Sequence, residues 1–533
     1  MTAGPVDLTV NFLSPVEPTD LVKQSLPFSY FVLSAAPNDG KSHSVQIYSD
    51  ISAEWVSGDD SLTVNWTTTT GSVVTHQVQL EQQTLFGEVS DRIQQGSAFY
   101  STPSVTGLTY QTGQDEVVRA QFINSGKLLN TKDTQFRAVS DDWPVFALSH
   151  DLGTISAATP PVVVSIGHIR DPAVQYIIAN GALQNRSLYF WSQFSSVQDA
   201  ISSFLGDYSN ALSRAQTFDS KVQTDASAIS ADYASIVALS VRQAFGATEI
   251  TVSKTTSGSF DTSDVMMFMK EISSDGNVNT VDVIFPAWPI FLYTNPTLGK
   301  YLLLPLFEYQ ATGQYPNKWS VHDMGASYPK ALGHNDGNDE PMPVEESGNM
   351  LIMTLSYIQK TNDQSLITSY FNLLDQWTQF LISDSLIPAN QISTDDFAGS
   401  LANQTNLAIK GIYGDDSSWG LSYNMFADKL LGTNVFPQSV YDMQTAWYST
   451  VANSLGVPLD TRHTYTKSDW EIWTSAIVSS NTVRDLFITA VRNYAADGKS
   501  SQPLARIADA AVCHNGAECI CSKCDCAYHR WSK

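Results

Sequence analysis

Residues 225–245 read DASAISADYASIVALSVRQAF, and Ile229, Tyr233, Ile236 and Ser240 recur there at the spacing of one helix face. Upstream the period is different. Val45, Ile47 and Ile51 alternate with polar neighbours in residues 42–52, SHSVQIYSDIS, and Val74, His76, Val78 and Leu80 do the same, which is the two-residue period of half-buried strands. Asn38, Asp39 and Gly40 form a turn signal between two such runs. Downstream the helical spacing returns in Leu366, Tyr370, Leu373, Trp377 and Leu381, and further helices are expected over residues 348–360, 437–455, 468–478 and 481–497. Strands first and helices afterwards predict an N-terminal antiparallel β-sandwich over residues 1–205 and an all-α domain over residues 206–504. Trp377, Trp447, Trp470 and Trp473 read as packing residues of the helices, since aromatic burial dominates core energetics.

Charge and composition narrow the function classes. Acidic residues outnumber basic ones by 53 to 29, a formal net charge of -24 that repels phosphate backbones and anionic lipid. Neither nucleic acid nor a membrane surface is therefore an expected partner. The most apolar stretch, residues 281–306, is interrupted by Pro286, Pro289, Asn295, Pro296 and Lys300 and reads as core and loop rather than a membrane span. The first residues show no basic and apolar leader, so no signal peptide is expected in this stretch. Three acceptor sequons, at Asn65, Asn185 and Asn403, would take glycans on an exported chain. All five cysteines lie in residues 505–533, which are set apart as an atypical Cys-rich tail. Cys519, Cys521, Cys524 and Cys526 are spaced for zinc, but the abrupt change of composition favours a tail foreign to the fold before it.

The candidate chemistry concentrates in residues 318–350, KWSVHDMGASYPKALGHNDGNDEPMPVEESGNM. This loop carries Asp323, Asp336, Asp339, Glu340, Glu345 and Glu346 together with His322 and His334, and Trp319, Met324, Tyr328 and Met342 anchor it. Pro343 followed by Glu345 and Glu346 ahead of an apolar run places both glutamates in a first helical turn. There the helix dipole favours ionised carboxylates, so either glutamate suits the role of base or ammonium anchor. Asp323 could be the acid if Trp319 and Met324 desolvate it and raise its pKa. A second acidic loop holds Asp395 and Asp396. Ser327 and Lys330 match S-x-x-K, although Pro329 interrupts the turn. Residues 336–340 resemble part of a calcium loop without its full spacing. Neither H-E-x-x-H nor G-x-S-x-G occurs, and no metal or cofactor is expected.

The strings WSVHDMGASYPKALGHNDGNDEPMPVEESGNMLIM, FPAWPIFLYTNP, STDDFAGSLANQTNLAIKGI and SIGHIRDPAVQYI resemble the fungal extracellular glutaminase A family across residues 1 to about 504. That resemblance implies a secreted amidohydrolase acting on L-glutamine, with an (α/α)6-type toroid as its catalytic domain. Within it Asp323, Glu345, Glu346 and Asp396 are the catalytic candidates, and His322, Asp395, Lys410 and Trp319 the substrate contacts. Lys410 supplies the cation that glutamine's α-carboxylate needs. Two other classes remain open: a helical-toroid glycoside hydrolase using paired carboxylates, and a non-catalytic carbohydrate-binding protein.

Overall fold

The computed structural model describes residues 1–89, 92–271, 276–392, 400–404, 406–408, 420–459 and 464–499, and the backbone of 507–509. It divides into two compact units that interleave along the chain. The first comprises Met1–Val174, Asn185–Thr217 and Thr251–Asp264; the second comprises Gln175–Gln184, Phe218–Ile250 and Val265–Lys533.

The first unit is the expected antiparallel sandwich. Its main strands are β1 (Val6–Leu13), β2 (Phe28–Pro37), β3 (His43–Ser52), β4 (Thr63–Thr69), β5 (Val73–Leu80), β6 (Ser97–Pro103), β7 (Leu108–Gln114), β8 (Pro144–Ile155) and β9 (Val162–Ile169). One sheet runs β1-β2-β9-β6-β5-β4, with a two-residue strand at each edge, and the other runs β7-β8-β3. The alternating residues face each other across the gap: Val64, Trp66, Val74, Val78, Tyr100 and Val164 from one sheet pack with Ile47, Ile51, Phe146 and Leu148 from the other. His76 lies in this core. Its Nε2 donates to the Ala147 carbonyl at 3.1 Å, and burial pulls its pKa down to about 4, so it is a neutral structural histidine. Helix α1 (Asp115–Ser125) lies between β7 and β8, α2 (Val197–Gly206) follows β9, and α3 (Tyr208–Ser227) contributes residues to both units.

Residues 225–245, whose helical period first marked the change of fold class, are two helices. α3 ends at Ser227, and Ser230 caps α4 (Ala231–Gly246) by accepting from Tyr233 N at 3.1 Å. The serine competes for backbone hydrogen bonds and breaks a run that apolar spacing alone would continue. A hairpin, Thr248–Lys254 with Phe260–Met269, then interrupts the helices, and the period reading missed it. Residues 265–269, VMMFM, are all buried, so no alternation marks the strand.

The remaining long helices of the second unit are α5 (Val281–Thr294), α6 (Pro296–Ala311), α7 (Pro343–Thr361), α8 (Ser365–Asp384), α9 (Gln438–Val451), α10 (Ser468–Ile477) and α11 (Asn481–Ala495). α5 corrects an expectation: the proline-punctuated stretch is helical through Pro286 and Pro289. Burial of Ile284, Phe285, Trp288 and Phe291 offsets the backbone bonds those prolines remove.

Trp288 sets the spacing of three helices. It is 1% exposed, its Nε1 donates to Ser356 Oγ of α7 at 2.8 Å, and its ring fills the space where a Cβ on Gly299 of α6 would lie, 2.7 Å away. Gly299→Ala should therefore lower the thermal midpoint, by the equivalent of about 1–3 kcal/mol for overpacking, although alanine is the better helix former by about 1 kcal/mol. A midpoint at or above that of the parent would contradict this packing.

Candidate active site

Residues 278–281 and 322–325 run side by side in the second unit. Met324 N donates to Val278 O at 2.8 Å, Val278 N to Gly325 O at 2.9 Å, and Val281 N to His322 O at 2.9 Å. The last bond ties His322 to the first turn of α5, which carries Asp282. The start of α7 is fixed to the same irregular segment, because Ser320 N donates to Ser347 Oγ at 3.0 Å, and Val344 N is satisfied by Gln391 Oε1 at 2.9 Å. Pro343 opens α7 and puts Glu345 and Glu346 in its first turn, as the sequence predicts. Asp282, His322 and Glu346 consequently each bring one donor atom to within 4.8 Å of the other two. From His322 Nε2 the distances are 3.7 Å to Asp282 Oδ1, 3.5 Å to Glu340 Oε2 and 4.0 Å to Glu346 Oε1. Asn349, one turn further along α7, donates to Glu346 Oε2 at 3.2 Å and lies 3.5 Å from Glu345 Oε1.

Asp323 orients the imidazole. Its Oδ2 accepts from His322 Nδ1 at 2.7 Å and from Asn277 Nδ2 at 3.2 Å, and its Oδ1 accepts from His334 Nε2 at 2.8 Å and from Gly325 N. His334 can reach it because Gly333 has a φ of 65° and no Cβ, which would fall 2.3 Å from the Tyr309 ring. Tyr309 Oη then accepts from His334 N at 2.7 Å. Asp339 completes the frame by accepting from His322 N at 2.8 Å and from Tyr315 Oη at 2.9 Å.

The electrostatics differ from the sequence expectation for Asp323. Burial alone would raise its pKa, but hydrogen bonds from His322 and His334 outweigh burial and hold the carboxyl well below the usual range. Asp323 is thus an ionised anchor and not a protonated acid. Burial likewise opposes protonation of the two imidazoles, and the bonds to Asp323 with the surrounding carboxylates overcome it, so both pKa values rise. Asp339 is pushed upward by burial despite its donors.

Of the expected site residues, the structure brings His322, Asp323, Glu345 and Glu346 together. Trp319 is engaged in packing instead: its ring lies 5.5 Å from that of Phe380, against Val344 and Leu407. Asp395, Asp396 and Lys410 lie outside the described residues. Sequence reasoning assigned no role to Asp282, Glu340 or His334. Asp282 was detectable as the one acid in the apolar run VDVIFPAWPIFL, residues 281–292. The two weaker motif readings dissolve into turns. Lys330 N donates to Ser327 O at 2.9 Å, while Asp336 caps Asn338 and Asp339 faces His322 and Tyr315. A cavity of about 380 Å³ in the first unit is lined by Glu17, Lys23, Phe28, Tyr30, Phe204 and Arg214. Arg214 there is already paired with Glu17 and Asp207, and none of the clustered carboxylates lines it.

Glu471 is a different kind of perturbed acid. It is fully buried in α10, where Oε1 accepts from Val457 N at 2.8 Å and Thr466 Oγ1 at 2.7 Å, and burial pushes its pKa up to about 8. Because this native value exceeds that of an unfolded chain, the group's stabilisation is complete below its ordinary value of 4.5 and is lost as pH rises through about 8. Glu471→Gln should therefore flatten the decline of the thermal midpoint over that window, where one such group contributes at most about 1.4 kcal/mol per pH unit. Parallel profiles for parent and variant would show that Glu471 is already ionised in the native state.

An antiparallel sandwich joined to paired helices, whose first turns present buried acids around one histidine, defines the class of two-domain helical-hairpin proteins. Residues 230–414 and 412–518 match the family described as the glutaminase A six helical-hairpin domain, and residues 1–225 match a domain of unknown function, DUF5127. Glutaminase A of Aspergillus oryzae is 44% identical over 545 residues, covering 92% of this chain and 77% of that protein. A probable glutaminase of Arthroderma benhamiae is 34% identical over 646 residues, covering 94% of this chain and 73% of that protein. The chain belongs to the glutaminase A family.

Proposed function

We propose that this protein hydrolyses the side-chain amide of L-glutamine to L-glutamate and ammonia, with the chemistry at the centre around His322. The observation that carries this reading is the convergence of Asp282, Glu340 and Glu346 on His322 Nε2 at 3.5 to 4.0 Å, in a member of the glutaminase A family.

Hydrolysis requires a base to take a proton from water, an electropositive partner for the tetrahedral oxyanion, and delivery of a proton to the departing nitrogen. Glu340 is the suitable proton carrier. Its side chain is 29% exposed, against 3% or less for Asp282, Asp323 and Glu346, so it is the carboxylate that an entering substrate meets. Water adds to the amide carbon as Glu340 accepts its proton. The oxyanion faces the Nε2 edge of His322, and Glu340 returns the proton to the nitrogen as ammonia leaves. Glu345 and Glu346 sit at the positive end of α7, where the dipole favours their ionised forms, and Glu345 is the one assigned to an ammonium group. Lys410 retains its proposed role with the substrate α-carboxylate, and Asp395 and Asp396 theirs at the acidic loop. We further propose that the protein is secreted; Asn185 and Asn403 are exposed sequons, whereas Asn65 is half-buried on β4. No described helix is long and apolar enough to cross a membrane.

Ammonia release by the purified protein, with glutamine, asparagine and several glycosides as substrates, tests the reaction. Glutamine should be the productive substrate, and sugar release without ammonia release would contradict the proposal. Glu340→Gln should lower kcat at least about a hundredfold, the lower range for losing a proton-transfer group, while the thermal midpoint stays near that of the parent. Turnover within a few fold of the parent would remove Glu340 from the mechanism.

A further inference from the structure

We propose that Asp282, His322 and Glu346 bind one divalent transition-series cation, Zn²⁺ or Mn²⁺, with Glu340 facing its open side. Its part in catalysis rests on the reaction proposed above, but the binding site does not.

The spacing comes first. His322 Nε2 stands 3.7 Å from Asp282 Oδ1 and 4.0 Å from Glu346 Oε1, and one donor atom of each residue lies within 4.8 Å of the other two. These separations exceed hydrogen-bond range. Two ligands that are each about 2.0–2.2 Å from a shared ion stand about 3.3–3.6 Å apart in a tetrahedral site and at most about 4.4 Å, so the 3.7 and 4.0 Å separations from Nε2 can be bridged by one ion. An imidazolium satisfied by its acidic neighbours would close on one of them; here the nitrogen stays at a similar distance from three carboxyl oxygens.

The histidine supplies the second observation. His322 is 3% exposed, and among the described residues its Nε2 makes no hydrogen bond, while Nδ1 is tied to Asp323 at 2.7 Å. Nδ1 donating to a carboxylate fixes the ring and turns the Nε2 edge, where a cation would take the place of the proton, toward the two acids, which is the carboxylate–histidine–metal arrangement. Glu346 is oriented in the same way, with Oε2 held by Asn349 and Oε1 turned toward Nε2. The donors come from the first turns of α5 and α7 and from the segment whose His322 O accepts from Val281 N. They are therefore placed by the framework and not gathered by a loose acidic loop.

The donor set selects the ion. One nitrogen and two carboxylates are too few oxygens for calcium, which takes about 6–8, and contain no sulfur for soft metals. Imidazole with carboxylate suits zinc or manganese and leaves a position open for water or an amide oxygen. The bound cation would be the electropositive partner at the Nε2 edge.

The full-length protein, stripped with chelator and reloaded separately with Zn²⁺ and Mn²⁺, should retain one equivalent per chain by elemental analysis after free metal is removed. His322→Gln and Asp282→Asn should abolish retention while far-UV circular dichroism is preserved. Asp323→Asn, which acts through His322, should weaken affinity by about 10- to 100-fold in a competition titration. If His322→Gln fails to fold, Asp282→Asn, which keeps the shape of the side chain, decides alone. Retention below a tenth of an equivalent for both ions in the folded parent would overturn the site, as would retention unchanged in the folded variants. Glutamine hydrolysis at full rate by metal-free protein would refute the ion's catalytic part and leave the proposed reaction standing. Stoichiometric binding lost in the variants, without any glutamine hydrolysis by the parent, would establish the site and sink the reaction.

Discussion

Asp323 accepts hydrogen bonds from His322 Nδ1 and His334 Nε2 with one carboxylate, and the geometry of the centre depends on that sharing. A buried charge with fewer donors would take up a proton. With two imidazoles, the Asn277 amide and the Gly325 N–H converging on it, Asp323 remains ionised and stationary. The orientation of the His322 ring follows, and so does the direction in which Nε2 points. Removing the donors would release the ring; filling the space beside Gly333 would force Tyr309 and His334 apart.

The surrounding framework delivers the other groups. Trp288 spaces α5, α6 and α7 through its bond to Ser356 and its contact with Gly299, and the bonds from Val281 N to His322 O and from Ser320 N to Ser347 Oγ fasten two helix starts to one irregular segment. Asp282 and Glu346 are therefore brought to the same nitrogen by elements far apart in sequence. Helix N-termini are suited to this task, because they leave backbone donors and a positive dipole end beside the carboxylates they carry.

The two-part fold was legible because its periods differ: alternation in residues 42–52 and helical spacing in residues 366–381 are both strong local signals. The hairpin at 248–269 was not, since its buried stretches, residues 250–253 and 265–269, are covered on both faces and show no alternation. α5 was hidden by Pro286 and Pro289, whose cost only tertiary packing can offset. At the site, His322, Asp323, Glu345 and Glu346 stood out because they share one segment with unusual acid and histidine content. Asp282 joins them through space alone, and its only trace was an acid within an apolar run. The role of Asp323 was misjudged for a related reason. Nearby Trp319 and Met324 suggested desolvation, but the two imidazoles that override it are visible only once the chain has folded.

A crystal structure of the protein with L-glutamate, the product of the proposed reaction, would test the central claim most directly. The account places the side-chain carboxylate of the product at the opening between Glu340 and His322 Nε2, within hydrogen-bonding or coordination reach of that edge. Glutamate seated elsewhere, as in the Glu17–Arg214 cavity of the first unit, with the His322 centre untouched, would contradict it.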